Sequence, residues 1–238
     1  MSNLYFTFKQ FTVSQNHSAM KVGTDGVLLG SWIDTKGAKS ILDIGAGTGL
    51  LSLMLAQRST AFIDAIEIDA DACIDARFNF SQSSWNHRLR VIEGDFLEIA
   101  TQSSKQYDLI VSNPPFFKNS LQSTKSKRNL ARHANSLPHE ALLKGVANLL
   151  TSDGRFYVVI PSDISKDFIS TARLTGLHPE TSLLVFSKET DTKPVRTFIR
   201  FSHIDCKARE DSLSIYTNIA NHYTDEYRHL TKDFYLAF

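Results

Sequence analysis

Residues Tyr107 to Phe117 read Tyr-Asp-Leu-Ile-Val-Ser-Asn-Pro-Pro-Phe-Phe, and they predict a strand that stops abruptly. The apolar first half is typical of a buried strand, and two consecutive prolines end it because proline cannot donate a hydrogen bond to a sheet ladder. Pro114 also restricts Asn113 to extended geometry, so we expect the Asn113 side chain at the carboxyl end of the strand. Open α/β sheets bind their ligands at that end.

The turn after this strand combines an amide, a proline carbonyl and an aromatic ring. If the Asn113 side-chain oxygen and the Pro114 carbonyl each accept one N–H of an exocyclic amine, they favour the geometry in which that amine loses its conjugation. Phe116 would stack on the base and hold it in line with an electrophile. The turn therefore predicts a catalytic site for a flat, amine-bearing group. A plain double-proline turn after a core strand is the alternative.

A second motif lies in residues 40–57, where a predicted strand from Ile41 to Ile44 runs into Gly45-x-Gly47-x-Gly49 and then an amphipathic helix. The glycines let a ligand approach the backbone while helix N–H groups point toward it. The dinucleotide fingerprint places its third glycine one position later, where this chain has Leu50. A dinucleotide site is therefore disfavoured.

Two further predicted strands end in acidic residues. The strand from Phe62 ends at Glu67, where a doubly wound sheet places an acid that accepts both ribose hydroxyls. The strand from Arg88 to Glu93 leads into Asp95. Capping of a short helix is the alternative role for Asp95.

These motifs resemble two motifs of known enzymes. Asp43-x-Gly-x-Gly-x-Gly resembles motif I of class I S-adenosylmethionine-dependent methyltransferases, and Asn113-Pro-Pro-Phe resembles the Asn-Pro-Pro-Tyr/Phe motif of the amino-methyltransferases. The resemblance implies a Rossmann-like, seven-stranded α/β sheet with an antiparallel terminal hairpin and helices on both faces. It implies S-adenosylmethionine as the cofactor, with Asp43 facing its amino-acid part and Asp95 its adenine. The cofactor-binding residues that it implies are Lys21, Thr24, Asp43, Gly45, Gly47, Gly49, Glu67, Asp95, Phe96 and Asn113.

Shorter matches narrow the resemblance to the bacterial tRNA(Val) adenine-37 N6-methyltransferase family. They are Phe-x-Phe-Lys-x-Phe at 6–11, the segment 20–32, Ala-Arg-His at 131–133 and Asp-Phe-Tyr-Leu at 233–236. The family implies methylation of the N6 amine of adenine 37, next to the anticodon of a valine tRNA. The residues alone indicate only an amino-methyltransferase acting on a polyanion.

Three alternatives to this function stay open. Phe116 in place of tyrosine is shared with ribosomal RNA guanine methyltransferases. The same turn serves methylation of a release-factor glutamine. An RNA-binding module that keeps the fold without chemistry is the third alternative.

A basic segment follows the proposed catalytic turn. From Leu109 to His139 the chain has no Asp or Glu. We expect a phosphate backbone to pass here, so that binding weakens steeply with salt; a merely solvated surface is the alternative. The expected RNA contacts are Phe117, Lys118, Lys125, Lys127, Arg128, Arg132 and His133.

Length and composition set the remaining expectations. An apolar content of 42% and 238 residues favour one globular domain, divided into a cofactor-covering extension (1–39), a Rossmann-like core (40–204) and a C-terminal helix and tail (205–238). No signal or membrane segment is recognised, so we expect a cytoplasmic protein. We also expect it to be a monomer. The spacing of Cys73 and Cys206 does not indicate a metal site.

Three local features are also expected. Residues 4–13 predict an N-terminal strand or hairpin whose phenylalanines pack in the core. Thr24 or Asp25 is expected to cap a helix that ends at Trp32. The tail from Leu213 spaces its tyrosines as a helix would, with packing against the sheet as their expected role.

Overall fold

A computed structural model describes residues 3–114 and 137–238. The strands are β1 (Tyr5–Thr7), β2 (Thr12–Ser14), β3 (Ser40–Ile44), β4 (Phe62–Glu67), β5 (Leu89–Glu93), β6 (Tyr107–Ser112), β7 (Leu150–Pro161), β8 (His178–Lys188), β9 (Arg196–Ser202) and β10 (Arg209–Tyr216). The helices are α1 (Thr24–Trp32), α2 (Leu50–Arg58), α3 (Ala70–Gln82), α4 (Phe96–Gln102), α5 (His139–Leu149), α6 (Ser165–Leu174) and α7 (Asp225–Thr231). None of these helices is both long and apolar enough to cross a bilayer.

The main sheet has the strand order β10-β8-β9-β7-β6-β3-β4-β5. Strands β3 to β7 run parallel, whereas β9 is antiparallel to both of its neighbours, β7 and β8. The predicted α/β class and the antiparallel hairpin, here β8 and β9, are confirmed. The predicted number of seven strands was wrong, because β10 adds an eighth strand in parallel with β8.

Strand β10 lies in the segment that was predicted to be a helix and tail. Leu213 and Ile215, two residues apart, pack against the same apolar cluster, whereas the intervening Ser214 does not, which is the period of a strand rather than of a helix. Helical structure begins only at Asp225. Tyr223 and Tyr227 pack against the apolar cluster of the sheet, as expected. The Tyr223 ring also stacks between those of Tyr216 and Tyr227, with 4.9 Å between ring centroids on each side.

Two helical layers cover the sheet. Helices α4, α5 and α6 pack on one face against the side chains of Leu42 and Ile44, among others. Helices α1, α2 and α7 pack on the other face, which Ile41 shares because neighbouring residues of a strand point to opposite faces. The N-terminal hairpin, β1 and β2, closes a third apolar cluster through Phe8 and Phe11, as expected.

Helix α1 begins without the predicted side-chain cap. Its N-cap residue is Gly23, and neither Thr24 nor Asp25 caps it, because both lie within the helix. Asp25 instead accepts a hydrogen bond of 2.7 Å from Nε of Arg196 at the start of β9. This ion pair joins α1 to the far half of the sheet, a contact that local sequence does not reveal.

A buried carboxylate joins strands β4, β5 and β6. Asp64 on β4 accepts hydrogen bonds from Arg90 at 2.8 and 3.0 Å, from Lys105 at 2.7 Å and from the Tyr107 hydroxyl at 2.7 Å. Burial alone would raise the pKa of Asp64, but these hydrogen bonds outweigh it and lower the pKa below its usual 3.8. The network therefore stabilises the fold only while Asp64 is ionised.

We expect Asp64→Ala to lower the free energy of unfolding by about 2 kcal/mol, since it removes charge-assisted hydrogen bonds and leaves the Tyr107 hydroxyl without its acceptor. The stabilisation is present above pH 3.8 and is lost as the pH falls through the folded-state pKa. Urea unfolding at about pH 7 and about pH 3 measures it, with the exposed Asp153→Ala as control. An Asp64→Ala deficit that is unchanged at the lower pH would contradict this account.

Candidate active site

The carboxyl ends of four parallel strands meet at one edge of the sheet. Ile44, the last residue of β3, is paired with Ile66 of β4 and with Ser112 of β6, and Glu67 is paired with Glu93 of β5. A cavity of about 420 Å³ opens at this edge. The predicted site residues that line it are Gly45, Gly47, Glu67, Asp95, Phe96, Asn113 and Pro114.

Glu67 holds the glycine loop in place. Its Oε2 accepts the N–H of Gly47 at 2.7 Å, and its Oε1 accepts the N–H of Asp69 at 2.9 Å. Gly45 and Gly47 adopt left-handed backbone with φ of 70° and 55°, and both border the cavity without a side chain that would fill it. Each oxygen of Glu67 still has lone-pair capacity for a ligand hydroxyl, so the same carboxylate shapes the loop and faces the cavity.

Gly49 has a different role from the other two glycines. It is the N-cap residue of α2 with φ of 80°, and a Cβ at this position would lie 2.4 Å from the Phe80 ring. It does not line the cavity. The structure therefore gives Gly49 a packing and backbone role, and its predicted contact with the cofactor stays a prediction.

Asp43 is completely buried and faces helix α2. Its Oδ2 accepts hydrogen bonds from the N–H of Ser52 at 3.1 Å and from the Ser52 hydroxyl at 2.7 Å. Its Oδ1 is buried and has no hydrogen-bond partner among the residues that the structure describes. Burial raises the pKa of Asp43 to about 7, although the hydrogen bonds from Ser52 oppose that rise.

Asp95 and Phe96 begin helix α4 at the far side of the cavity. Asp95 is the N-cap residue, and its Oδ1 accepts the N–H of Leu97 at 2.8 Å. The capping role and the place at the cavity therefore coexist, since Oδ2 is not used by the cap. The buried Phe96 ring packs on Gly145 of α5, where a Cβ would lie 2.7 Å from the ring.

The proline turn meets the glycine loop at the cavity. Asn113 is partly buried and Pro114 is buried, and both line the cavity. The preceding residue, Ser112, is fully buried and donates its hydroxyl to the Ile44 carbonyl at 2.9 Å. This bond joins the strand that carries the glycine loop to the strand that carries the proline turn.

Some predicted site residues are not at the cavity. Lys21, Thr24, Asp43 and Gly49 do not line it. The Lys21 ammonium instead donates to the carbonyl of Gln15. Residues that lie outside the described part of the chain are Phe116, Phe117, Lys118, Lys125, Lys127, Arg128, Arg132 and His133.

Other cavity residues were missed by the sequence analysis. Ser18 and Ala19 form part of the wall, just before Met20, which also lines the cavity and begins the matched segment 20–32. The extension 1–39 was expected to cover the cofactor, but Ser18 and Ala19 were not singled out. Leu137 and Pro138, which precede α5, also line the cavity. Only Pro138 gave a signal, as a helix-opening residue, because lining by small and apolar side chains follows from tertiary packing rather than from a local pattern.

The donors and acceptors at the cavity fit S-adenosylmethionine. Two glycines leave room for close approach to backbone, Glu67 offers acceptors to hydroxyls, and Asp95 offers one to an amine beside the Phe96 ring. Asp43 does not line the cavity, so its buried Oδ1, which has no partner among the described residues, would reach a ligand only through a bridging water.

We expect the pH dependence of stability to change in Asp43→Asn. The pKa of Asp43 is about 7 in the folded state and 3.8 in the unfolded state, so the unfolded state ionises first as the pH rises. The free energy of unfolding of wild type is therefore highest below pH 3.8 and falls as the pH rises toward about 7. The uncharged variant lacks this loss, so its stability relative to wild type should rise over that range by up to about 4 kcal/mol. Urea unfolding across the range measures it, with Asp153→Asn as control; parallel curves for Asp43→Asn and wild type would refute it.

Comparisons with known proteins agree with this geometry. A family model described as the methyltransferase small domain matches residues 14–174. A crystal structure described as a predicted O-methyltransferase from Agrobacterium tumefaciens superposes with a TM-score of 0.66 at 17% identity, covering 88% of this chain and 96% of that chain. This likeness shows the fold, which is the class I methyltransferase fold expected from the sequence.

Relatives of similar length are closer in sequence. The tRNA1(Val) (adenine(37)-N6)-methyltransferase of Bacteroides fragilis strain YCH46 is 49% identical over 238 residues, or 99% of each chain. The protein of the same name from Trichodesmium erythraeum is 40% identical over the full length of both chains. The chain therefore belongs to the methyltransferase small domain family and, within it, to the tRNA1(Val) (adenine(37)-N6)-methyltransferase family.

Proposed function

We propose that this protein transfers a methyl group from S-adenosylmethionine to the N6 amine of adenine 37 in a valine tRNA. The observation that carries the proposal is that one cavity is lined both by the glycine loop and by Asn113 and Pro114. Such a cavity can hold a methyl donor and an amine next to each other. Relatives that match the whole chain carry this activity in their names.

The cofactor would be held by groups that the fold has already fixed. Glu67 would accept the ribose hydroxyls, and Asp95 would accept the adenine amine while Phe96 flanks the ring. Their carboxylates are oriented by the N–H groups of Gly47 and Leu97, respectively, so little ordering is needed on binding. When bound, S-adenosylmethionine supplies an electrophilic methyl group on its sulfonium.

Asn113 and Pro114 would act on the target amine. The lone pair of an adenine amine is delocalised into the ring, and it becomes nucleophilic only as that conjugation is lost. Two acceptors, the Asn113 side-chain oxygen and the Pro114 carbonyl, hold the two N–H groups in the geometry of that state and so favour it over the resting one. The proton is released to solvent after transfer.

Substrate selection would depend on the segment after the turn. Phe116 would stack on the extruded adenine, since base flipping is how an enzyme reaches an atom inside a stacked nucleic acid. The basic residues from Lys118 to His133 would contact phosphates of the anticodon stem-loop. We further propose that the protein works as a cytoplasmic monomer.

The substrate class is tested by incubating the protein with labelled S-adenosylmethionine and either total tRNA, ribosomal RNA or a protein extract. We expect label only in tRNA, with N6-methyladenosine as the product nucleoside, and no label in a valine tRNA transcript whose adenine 37 is replaced by guanine. Label in ribosomal RNA guanine or in a glutamine side chain would replace the proposed substrate. Absence of label in all three would overturn the proposed activity.

The catalytic role of the turn is tested by Asn113→Ala. We expect kcat to fall by about 10²- to 10³-fold, since an acceptor that acts on the reacting amine is lost, with only a modest change in cofactor affinity. Single-turnover methylation and calorimetric titration with S-adenosylhomocysteine separate the two effects. The exposed Asn148→Ala is the matched control. Methylation by Asn113→Ala at near wild-type rate would refute the role.

A further inference from the structure

The chain segment that forms one part of the cavity wall has its two ends joined by hydrogen bonds. We call residues Gln15 to Val22 the strap. The buried Gln15 side chain accepts the N–H of Val22 at 2.8 Å, and the Lys21 ammonium donates to the Gln15 carbonyl, so both ends of the strap are joined. Between these ends, Ser18, Ala19 and Met20 line the cavity.

One carboxylate on helix α3 holds the middle of the strap. Asp75 is 2% exposed, and its Oδ2 accepts the backbone N–H of His17 at 2.9 Å and of Ser18 at 2.7 Å. Its Oδ1 lies 2.9 Å from Nδ1 of His17. The hydrogen-bond acceptors of Asp75 are thus used by the strap.

Without the strap, the buried carboxylate of Asp75 would destabilise the fold. A buried carboxylate that lacks donors pays a large desolvation penalty, and helix α3 itself offers its side chain none of the hydrogen bonds just described. Although burial acts to raise it, the pKa of Asp75 is lowered by the hydrogen bonds from Ser18 and His17. The strap and the carboxylate therefore stabilise each other.

A second residue of α3 joins the residue before the strap to the glycine loop. Asn79 is 1% exposed and lies one helical turn after Asp75. Its amide accepts the N–H of Ser14 at 2.7 Å and donates to the Ser14 carbonyl at 2.8 Å and the Thr48 carbonyl at 2.9 Å. Ser14, which directly precedes the strap, and the glycine loop are thus held by one side chain.

We propose that Asp75 is a positioning residue for cofactor binding, which acts by clamping the strap so that Ser18 to Met20 form one wall of the cofactor cavity. The inference rests on the proposed function in one respect, namely that the cavity binds S-adenosylmethionine. Asp75 itself does not line the cavity, so it acts through the strap and not by contact with the ligand.

The test compares Asp75→Ala with wild type in the full-length protein, without RNA. We expect the Kd for S-adenosylhomocysteine, measured by calorimetry, to rise by at least about tenfold, because loss of the clamp lowers the population of the ordered wall. Hydrogen exchange read by mass spectrometry should accelerate in peptides covering residues 14–22 and stay unchanged in the strands of the sheet.

Two further variants separate positioning from folding. Asp75→Asn keeps an oxygen that can accept both backbone N–H groups, while its NH2 can donate to a neutral His17 ring, so we expect a Kd within about threefold of wild type. The exposed Asp71→Ala removes a carboxylate from the same helix and should change neither readout. If Asp75→Ala fails to fold, Gln15→Ala opens the strap where its two ends are joined, and the same two changes are expected.

The outcomes are distinct. Wild-type affinity together with unchanged exchange in residues 14–22 of the tested variant would overturn the inference. Equal loss of affinity in Asp75→Ala and Asp75→Asn would also overturn it, because the backbone clamp would then be irrelevant. If wild type itself does not bind S-adenosylhomocysteine, the proposed function fails, and the exchange of residues 14–22 still decides whether Asp75 holds the strap.

Discussion

The parallel pairing of β3 with β4 on one side and with β6 on the other is the constraint on which the site depends. Because Ile44 is paired with both Ile66 and Ser112, the glycine loop, Glu67 and Asn113 all leave the sheet at one edge. A slip of one residue would turn each side chain of a strand to the opposite face and would separate these groups. The alternating apolar residues on the two faces, packed against different helices, hold the register.

Two of the cavity carboxylates serve the fold and the ligand at once. Glu67 accepts N–H groups from the glycine loop and from the turn before α3, and Asp95 caps α4. Since these bonds fix the carboxylates before a ligand arrives, binding does not have to order them, which is the general advantage of a preorganised site. Ser112 has a related role, because its hydroxyl ties the two halves of the cavity together.

Local pattern predicted the parts of the structure that local forces decide. Buried strands, the glycine turn and the double-proline stop each lie within a few residues of their cause. Contacts between distant segments were not predictable in this way. The sequence around the first turn of α1 does not indicate that Asp25 pairs with Arg196, 171 residues away. Nor does the helical pattern of α3 indicate that Asp75 is buried. Strand β10 was not predicted because it begins with charged residues and because the tyrosines from Tyr216 onward are spaced as in a helix. Together they masked the alternation of Leu213 and Ile215 with serines.

The strand order also has a consequence for how the protein is made. The two residues joined by the Ser112 hydroxyl are 68 positions apart, and β3 must wait for that whole interval before it gains its second neighbour. Parallel strands so far apart in sequence pair late, since the loop between them must close first. A nascent chain that has not yet emerged as far as Tyr107 would already carry Glu67 and Asp95 yet enclose no cavity. The cavity would thus gain its Asn113 and Pro114 wall only when β6 docks, and it would be complete only once Leu137 and Pro138, which also line it, have been added.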